Sequence, residues 1–331
     1  MLKFMMNKRI LTGMQVTNNI HLGNFCSLKL FQDYSICHES NEKFLFIADL
    51  HTITSSVPSY ENILTLLKYY IIMTNEKNSY FFIQSMFFQI PYLSWILTCY
   101  TSLGQLERMT QYKDKKTNNE KAGILYYPIL MAADILIMQA NIIPVGSDQK
   151  QHVELTRDIA EIMNSTFKSE IFIKPEPYIT HTKIMDLSFP NKKMSKSNTE
   201  KGTLFLSDNN EEIEKKIMKA TTDEFLMPIN QSSLHNRPGV QNLCNIYNLI
   251  TNRNNEYIFN NFGNEYISKF KKELVVELQI FFTHLNKRCH EISNDYVEKL
   301  ILQNKLYVNE IMNETLLSIT KLLGLHYSNN L

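Results

Sequence analysis

Short apolar runs rich in β-branched and aromatic residues alternate with longer helical patterns through the first 190 or so residues of this 331-residue chain. Arg9–Thr12 reads as a strand, and a helix begins at about His21. Phe44–Asp49 suits a strand buried on both faces, and a helix follows from about Tyr60, just past Pro58 and Ser59. Tyr80–Gln84 and a helix over Pro91–Leu103 come next. Ala122–Ala140 (mostly apolar, with Pro128 inside), Ile142–Val145 and the amphipathic Gln149–Asn164 continue the series. Strand–helix alternation of this kind predicts a doubly wound parallel α/β sheet. Ligands bind such sheets at the carboxyl ends of the strands, where Gly13, Asp49, Gln84 and Gly146 fall. Past about Pro190 the strand signal fades. Asn210–Ala220, Gln241–Thr251, Glu265–Cys289 and roughly Asp295–Leu323 read as helices. The expected division is an α/β domain over 1–190 and an all-helical domain over 191–331.

Composition narrows the class. Only 9 residues are Gly, against an average usage of about 7%. A collagen-like, disordered or Gly/Ser-linker chain is excluded, and each remaining Gly is a candidate for a place where the backbone needs it. A formal net charge of +1 argues against a general cationic coat for nucleic acid. The 5 cysteines form no C-x-x-C pair, which fits a reducing compartment better than a disulfide framework or a zinc site. Asn78–Leu106 carries no charged side chain, yet Gln84, Gln89 and Pro91 within it favour a buried strand and helix over a membrane span. The basic start, MLKFMMNKR, lacks the apolar core of a signal peptide. No membrane association and a cytoplasmic location are expected.

Two segments carry chemistry. Gly13-Met-Gln15-Val16-Thr17-Asn18-Asn-Ile-His21-Leu-Gly23-Asn24 begins just after a strand and runs into a helix. His21 and Asn24 could donate to phosphate near a helix N-terminus, and Gly23 leaves room for a nucleoside against backbone. Lys192-Lys193-Met194-Ser195-Lys196-Ser197-Asn198 is a cationic loop suited to a leaving pyrophosphate. Alone, the first is an ordinary strand–turn–helix with an incidental His, and the second a solvated basic loop.

Together they resemble the two signatures of the class I aminoacyl-tRNA synthetases: His21–Asn24 is similar to the "HIGH" motif, and Lys193–Ser197 reads KMSKS. Gly104–Lys115, Tyr127–Leu136 and Pro144–Asp158 resemble the tryptophanyl enzymes of that class, as do Ile184-Met185, Thr222-Asp223 and Arg237–Val240. The resemblance runs from about Asn7 to Asn248. It implies a Rossmann-like catalytic domain followed by a helical anticodon-binding domain, whose last helix could pack back on the first. It further implies activation of L-tryptophan by ATP with Mg²⁺, transfer to tRNA(Trp), and a homodimer.

Roles carried over by the resemblance are these. Gln15, Val16, Thr17, Gly23, Asn24, Gly146, Ser147, Asp148, Ile184, Met194, Ser195 and Ser197 surround ATP. Asp148 accepts from the ribose hydroxyls. His21 lies near the phosphates, and Lys115, Lys193 and Lys196 neutralise the triphosphate and the leaving pyrophosphate. Asp134 accepts the indole N–H, Met131 packs on the ring, and Tyr127, Gln149 and His51 orient the amino-acid head group. No protein metal site is implied. His152, Glu154, Arg157 and Asp158 read first as helix-surface or subunit-interface residues, with Arg157 and Glu161 at i,i+4 spacing.

Val16 stands where the family has Pro, Asn18 where it has Gly, Ser147 where it has an acid, and Asn198 where it has Asp. Segment 86–91 also departs from the usual polar, Pro-early sequence. Asn is the best non-Gly occupant of the left-handed region, so position 18 tolerates the exchange. The alternatives are a tyrosyl-type enzyme on the same fold and an inactive paralogue that binds nucleotide or RNA. A nucleotidyltransferase for a small cofactor is a third, disfavoured by the long helical second domain.

Overall fold

A computed structural model of the chain describes residues 7–16, 20–25, 40–74, 78–115, 121–180, 183–194 and 200–325. Five strands form one sheet: β1 Arg9–Met14, β2 Glu42–Ile47, β3 Ser79–Ile83, β4 Ile142–Gly146 and β5 Glu176–Thr180. The helices are α1 Asp49–Thr52, α2 Tyr60–Met73, α3 Gln89–Cys99, α4 Leu103–Glu107, α5 Thr110–Lys115, α6 Ala122–Ile137 and α7 Lys150–Phe167, then α8 Asn210–Met218, α9 Gln231–Leu234, α10 Pro238–Thr251, α11 Asn255–Phe262, α12 Ile267–Glu291 and α13 Asn294–Leu322.

The sheet is wholly parallel, in the order β3-β2-β1-β4-β5. The strands run outward in both directions from β1, so the switch point lies between β1 and β4, where such sheets open a crevice at their carboxyl ends. Interior strand β2 is apolar because both faces are covered: Phe44, Leu45, Phe46 and Ile47 are all buried, and on one face Phe44 stacks on Tyr80 at 5.0 Å and Phe46 on Phe82 at 5.3 Å. Gly13 does not follow the first strand, as the sequence reading placed it. It lies within β1, paired with Phe46, and an added Cβ would come within 2.3 Å of that ring.

Two differences from expectation have a plain physical reason. β5 escapes the sequence reading because Pro177 sits within a short, weakly apolar run. An edge strand tolerates Pro, since one side of it has no ladder to complete. The helix expected over Pro91–Leu103 ends early: α3 stops at Cys99, and Ser102 starts a second helix, α4, through a capping box with Gln105.

Contacts divide the chain into two compact units. The sequence reading drew one boundary near 190; here the first unit comprises 1–17, 31–180 and 293–331, and the second 18–30 and 181–292. In the first unit α13 closes on the sheet. Tyr307 packs on Tyr80 at 4.8 Å and hydrogen-bonds Glu42, while Gln89 Nε2 donates to Asn309 and Asn313 at 2.6 and 2.7 Å. In the second unit Leu22 N donates to Leu204 O and Leu206 N to Ile20 O, both at 2.9 Å. Phe25 meets Phe281 edge-on at 5.2 Å, so the segment carrying His21 is anchored among the helices of that unit. Among the described residues no helix is long and apolar enough to cross a membrane.

Candidate active site

In the first unit, polar side chains converge on Asp134. This acid faces inward from α6, whose buried neighbours Ala132, Ala133, Ile135 and Leu136 are apolar. Gln84, at the end of β3, places Nε2 2.8 and 2.9 Å from the two carboxylate oxygens of Asp134. His51, on α1, places Nε2 3.1 Å from Asp134 Oδ2. Burial pushes the Asp134 carboxyl above its ordinary range; the hydrogen bonds from His51 and Gln84 pull it back, and Asp49 pushes it up again. Asp49 begins α1 and accepts from Leu50 N at 3.1 Å and Ser85 N at 3.0 Å.

A second cluster adjoins the first. The His51 ring lies edge-on to Tyr127, centroids 6.2 Å apart. Tyr127 Oη donates to Gln111 Oε1 at 2.6 Å and lies 2.9 Å from His152 Nε2. Burial, helped by the charge of Asp148, pushes the Tyr127 phenol far above its ordinary value, so it stays neutral. Gln111 Nε2 also donates to Asp148 O at 3.3 Å, tying α5, α6 and the end of β4 together. Gln149 Nε2 lies 3.4 Å from Asp148 Oδ2. Gly146 ends β4, and Ser147 and Asp148 are exposed in the turn beyond it. Gln15 is exposed after β1, and Val16 is buried, its N donating to Thr52 Oγ1 at 2.9 Å. Met131 is half-buried against the apolar core. Lys115 is the last residue of α5.

The second unit assembles the other motif residues. Asn24 Oδ1 accepts from His21 N at 3.2 Å, closing the turn that presents a buried His21 ring. Gly23 packs against that ring: an added Cβ would lie 3.0 Å from His21 Nδ1 and 3.6 Å from Met194 Cβ. Gly23 and Met194 bring the two signature segments side by side. Residues 184–194 form a hairpin, with Met194 N donating to Ile184 O at 3.0 Å and Met185 bridged to Lys193. Ile184 and Met194 point into the core, which leaves only their backbone to face a ligand, and Lys193 is exposed. Thr17, Ser195, Lys196 and Ser197 lie outside the described residues, as do the departures Asn18 and Asn198.

One reading is corrected. His152 is neither surface nor interface here: it is 1% exposed and bound to Tyr127. Nor does Arg157 pair with Glu161. Its Nη1 donates to Pro175 O at 2.7 Å and Glu176 at 3.3 Å, while Glu161 pairs with Lys174 at 2.9 Å. The reason is β5, which brings acceptors beside α7. Gln84 was visible only as a strand end, and Gln111 not at all. The signal for Gln84 was a polar side chain closing an apolar run; Gln111, in a polar helix, carried none.

Among the described residues no group of three or more His, Cys, Asp or Glu side chains is arranged to hold a metal ion. The family model described as "tRNA synthetases class I (W and Y)" matches residues 6–283. The tryptophan–tRNA ligase of Malacoplasma penetrans is 39% identical over 334 aligned positions, covering 96% of this chain and 98% of its own. The crystal structure of tryptophanyl-tRNA synthetase from Mycoplasma pneumoniae superposes with a TM-score of 0.85 at 31% identity, covering 97% and 99% of the two chains. The Campylobacter jejuni enzyme, solved with ADP and tryptophan, gives 0.77 at 28% identity, covering 96% and 99%.

Proposed function

The chain belongs to the class I tRNA synthetases of the tryptophan and tyrosine type, and on that premise we propose that it activates L-tryptophan with ATP and loads it onto tRNA(Trp). The tryptophan carboxylate attacks the α-phosphorus of ATP in line; the bond to the bridging oxygen breaks, giving tryptophanyl-adenylate and pyrophosphate. The terminal ribose hydroxyl of the tRNA then attacks the activated carbonyl and AMP leaves. No covalent enzyme intermediate is needed, so positioning and charge neutralisation carry the rate.

The observation that carries this reading is Asp134: an acid 3% exposed on an apolar helix, held in place by two donors. Indole is an apolar ring with one N–H donor, and an oriented carboxylate is its matching acceptor. Met131 packs on the ring. Tyr127, Gln149 and His51 orient the head group. Gln15, Val16, Thr17, Gly146, Ser147 and Asp148 bind the adenosine, Asp148 through the ribose hydroxyls.

In the second unit Gly23, Asn24, Ile184, Met194, Ser195 and Ser197 border ATP. His21, Lys115, Lys193 and Lys196 meet developing phosphate charge. Mg²⁺ enters as part of the substrate, on the phosphate oxygens. The helical region over 191–331 reads tRNA(Trp), the enzyme works as a homodimer, and its place is the cytoplasm.

Charging of a tRNA(Trp) transcript with labelled tryptophan tests the proposal. ATP-dependent, acid-precipitable label supports it; its absence from folded protein overturns it.

A further inference from the structure

We propose that Gln84 is a positioning residue that sets amino-acid specificity, by committing its amide donor to Asp134 so that this end of the site offers acceptors only. The inference rests on Asp134 receiving the ring of the amino acid.

The orientation of the amide is dictated by what surrounds it. Gln84 is fully buried, at the point where β3 passes into a turn. Its Oε1 accepts from Leu50 N at 3.1 Å and from His51 N at 3.4 Å. Both donors lie in the first turn of α1, where helical N–H groups have no partner in their own helix. An amide turned the other way would set donor against donor there. Nε2 therefore has to face away from α1, and it meets both oxygens of Asp134.

The consequence is chemical. His51 Nε2 is also directed at Asp134, so the two donors nearest the carboxylate are both engaged with it. A ring that docks here finds a carboxylate with accepting lone pairs and no uncommitted donor from Gln84. An indole N–H only donates, and it is satisfied. A phenol O–H donates too, but its oxygen then lacks a donor in a buried site, which is costly. Without Gln84, Asp134 takes up a proton more readily, and the O–H it then carries donates to a phenol oxygen but to no indole N–H. The Gln84 amide keeps Asp134 an ionised acceptor, which prefers the ring without one.

The charged and titratable groups packed on Asp134 are His51 and Asp49 from α1, with Tyr127 from α6 beyond His51. None of these can replace the Gln84 amide. In Gln84→Met the carboxylate loses a donor that favours its charged form, so Asp134 takes up a proton more readily. In Gln84→Glu a neutral side chain still donates O–H to Asp134, whereas an ionised one repels it.

The test is tryptophan- and tyrosine-dependent ATP–pyrophosphate exchange by full-length wild type, Gln84→Met and Gln84→Glu, from about pH 6 to about pH 9, with melting temperatures measured alongside. For Gln84→Met, a tryptophan KM about tenfold higher is expected, growing as pH falls, with ATP KM and kcat held and the preference over tyrosine narrowed. For Gln84→Glu the tryptophan KM should instead grow as pH rises. These opposite slopes cannot come from loosened structure alone, and the Glu variant answers the question if the Met variant fails to fold. Two results overturn the inference: slopes in both variants matching wild type, or tryptophan KM, ATP KM and melting temperature all worsening together without a pH trend. Wild type that fails to exchange with tryptophan would sink the underlying reading instead, so the two failures are separable.

Discussion

His51 Nε2 lies 3.1 Å from Asp134 Oδ2, and both side chains are buried. The two residues are 83 positions apart in sequence and come from separate elements, α1 after β2 and α6 before β4. A buried acid this poorly hydrated needs such partners, because each missing donor leaves charge uncompensated in a low-dielectric interior.

Asp134→Ala removes the acceptor for the indole. A hydrogen bond to a charged group contributes about 1.5–3 kcal/mol, so the tryptophan KM in pyrophosphate exchange should rise roughly 10- to 150-fold. The ATP KM should hold. An unchanged tryptophan KM would refute the role of Asp134.

Lys193→Ala should act on rate rather than on binding. Its charge is needed most as pyrophosphate leaves, so kcat should fall about a hundredfold while the tryptophan KM stays put. Lys196→Ala should behave alike. Single-turnover adenylation measures the effect directly, and a wild-type rate in either variant would remove that lysine from the mechanism.

Stability of the second unit should respond to acid through Asp223. Arg237 holds this carboxylate with Nε–Oδ2 at 2.9 Å and Nη2–Oδ1 at 2.6 Å. The guanidinium hydrogen bonds keep its pKa below the ordinary value, outweighing partial burial. A lowered folded-state pKa adds stability above the unfolded value of about 3.9, lost as pH falls through the folded one. In Asp223→Asn that component is absent throughout. Its melting temperature should sit below wild type at neutral pH and converge on it under acid. A gap that widens towards low pH would contradict this.

Two glycines should respond in opposite ways to Ala. At Gly239, near the start of α10, a Cβ would stand 2.1 Å from Thr221 O, a backbone atom that cannot step aside. Overpacking of this kind costs about 1–3 kcal/mol, so Gly239→Ala should unfold at clearly lower denaturant. Gly123, in the first turn of α6, has nothing nearer than Thr54 Cγ2 at 3.8 Å. There Ala should stabilise by about 0.5–1 kcal/mol through helix propensity. Equal responses would mean that the scarcity of Gly tells nothing about packing.

Much of this was legible beforehand because the signals were local. Strands β1 to β4 are runs whose two faces are both buried, so composition betrays them. His21, Asp134 and Lys193 belong to segments whose residues recur together in one enzyme family. What escaped depends on contacts distant in sequence. β5 is strand only because β4 lies beside it, with Pro144 opposite Tyr178. His152 looks like one face of an amphipathic helix until Tyr127 is placed against it. The alliance of residues 18–30 with 181–292, rather than with the strand before them, rests on pairings such as Leu22 with Leu204 that no periodicity announces.

The most direct measurement is amino-acid-dependent ATP–pyrophosphate exchange by the purified wild-type protein. The account predicts exchange that tryptophan stimulates strongly and tyrosine does not. Exchange stimulated by tyrosine but not tryptophan, or none with either while ATP and tryptophan both bind, would contradict it.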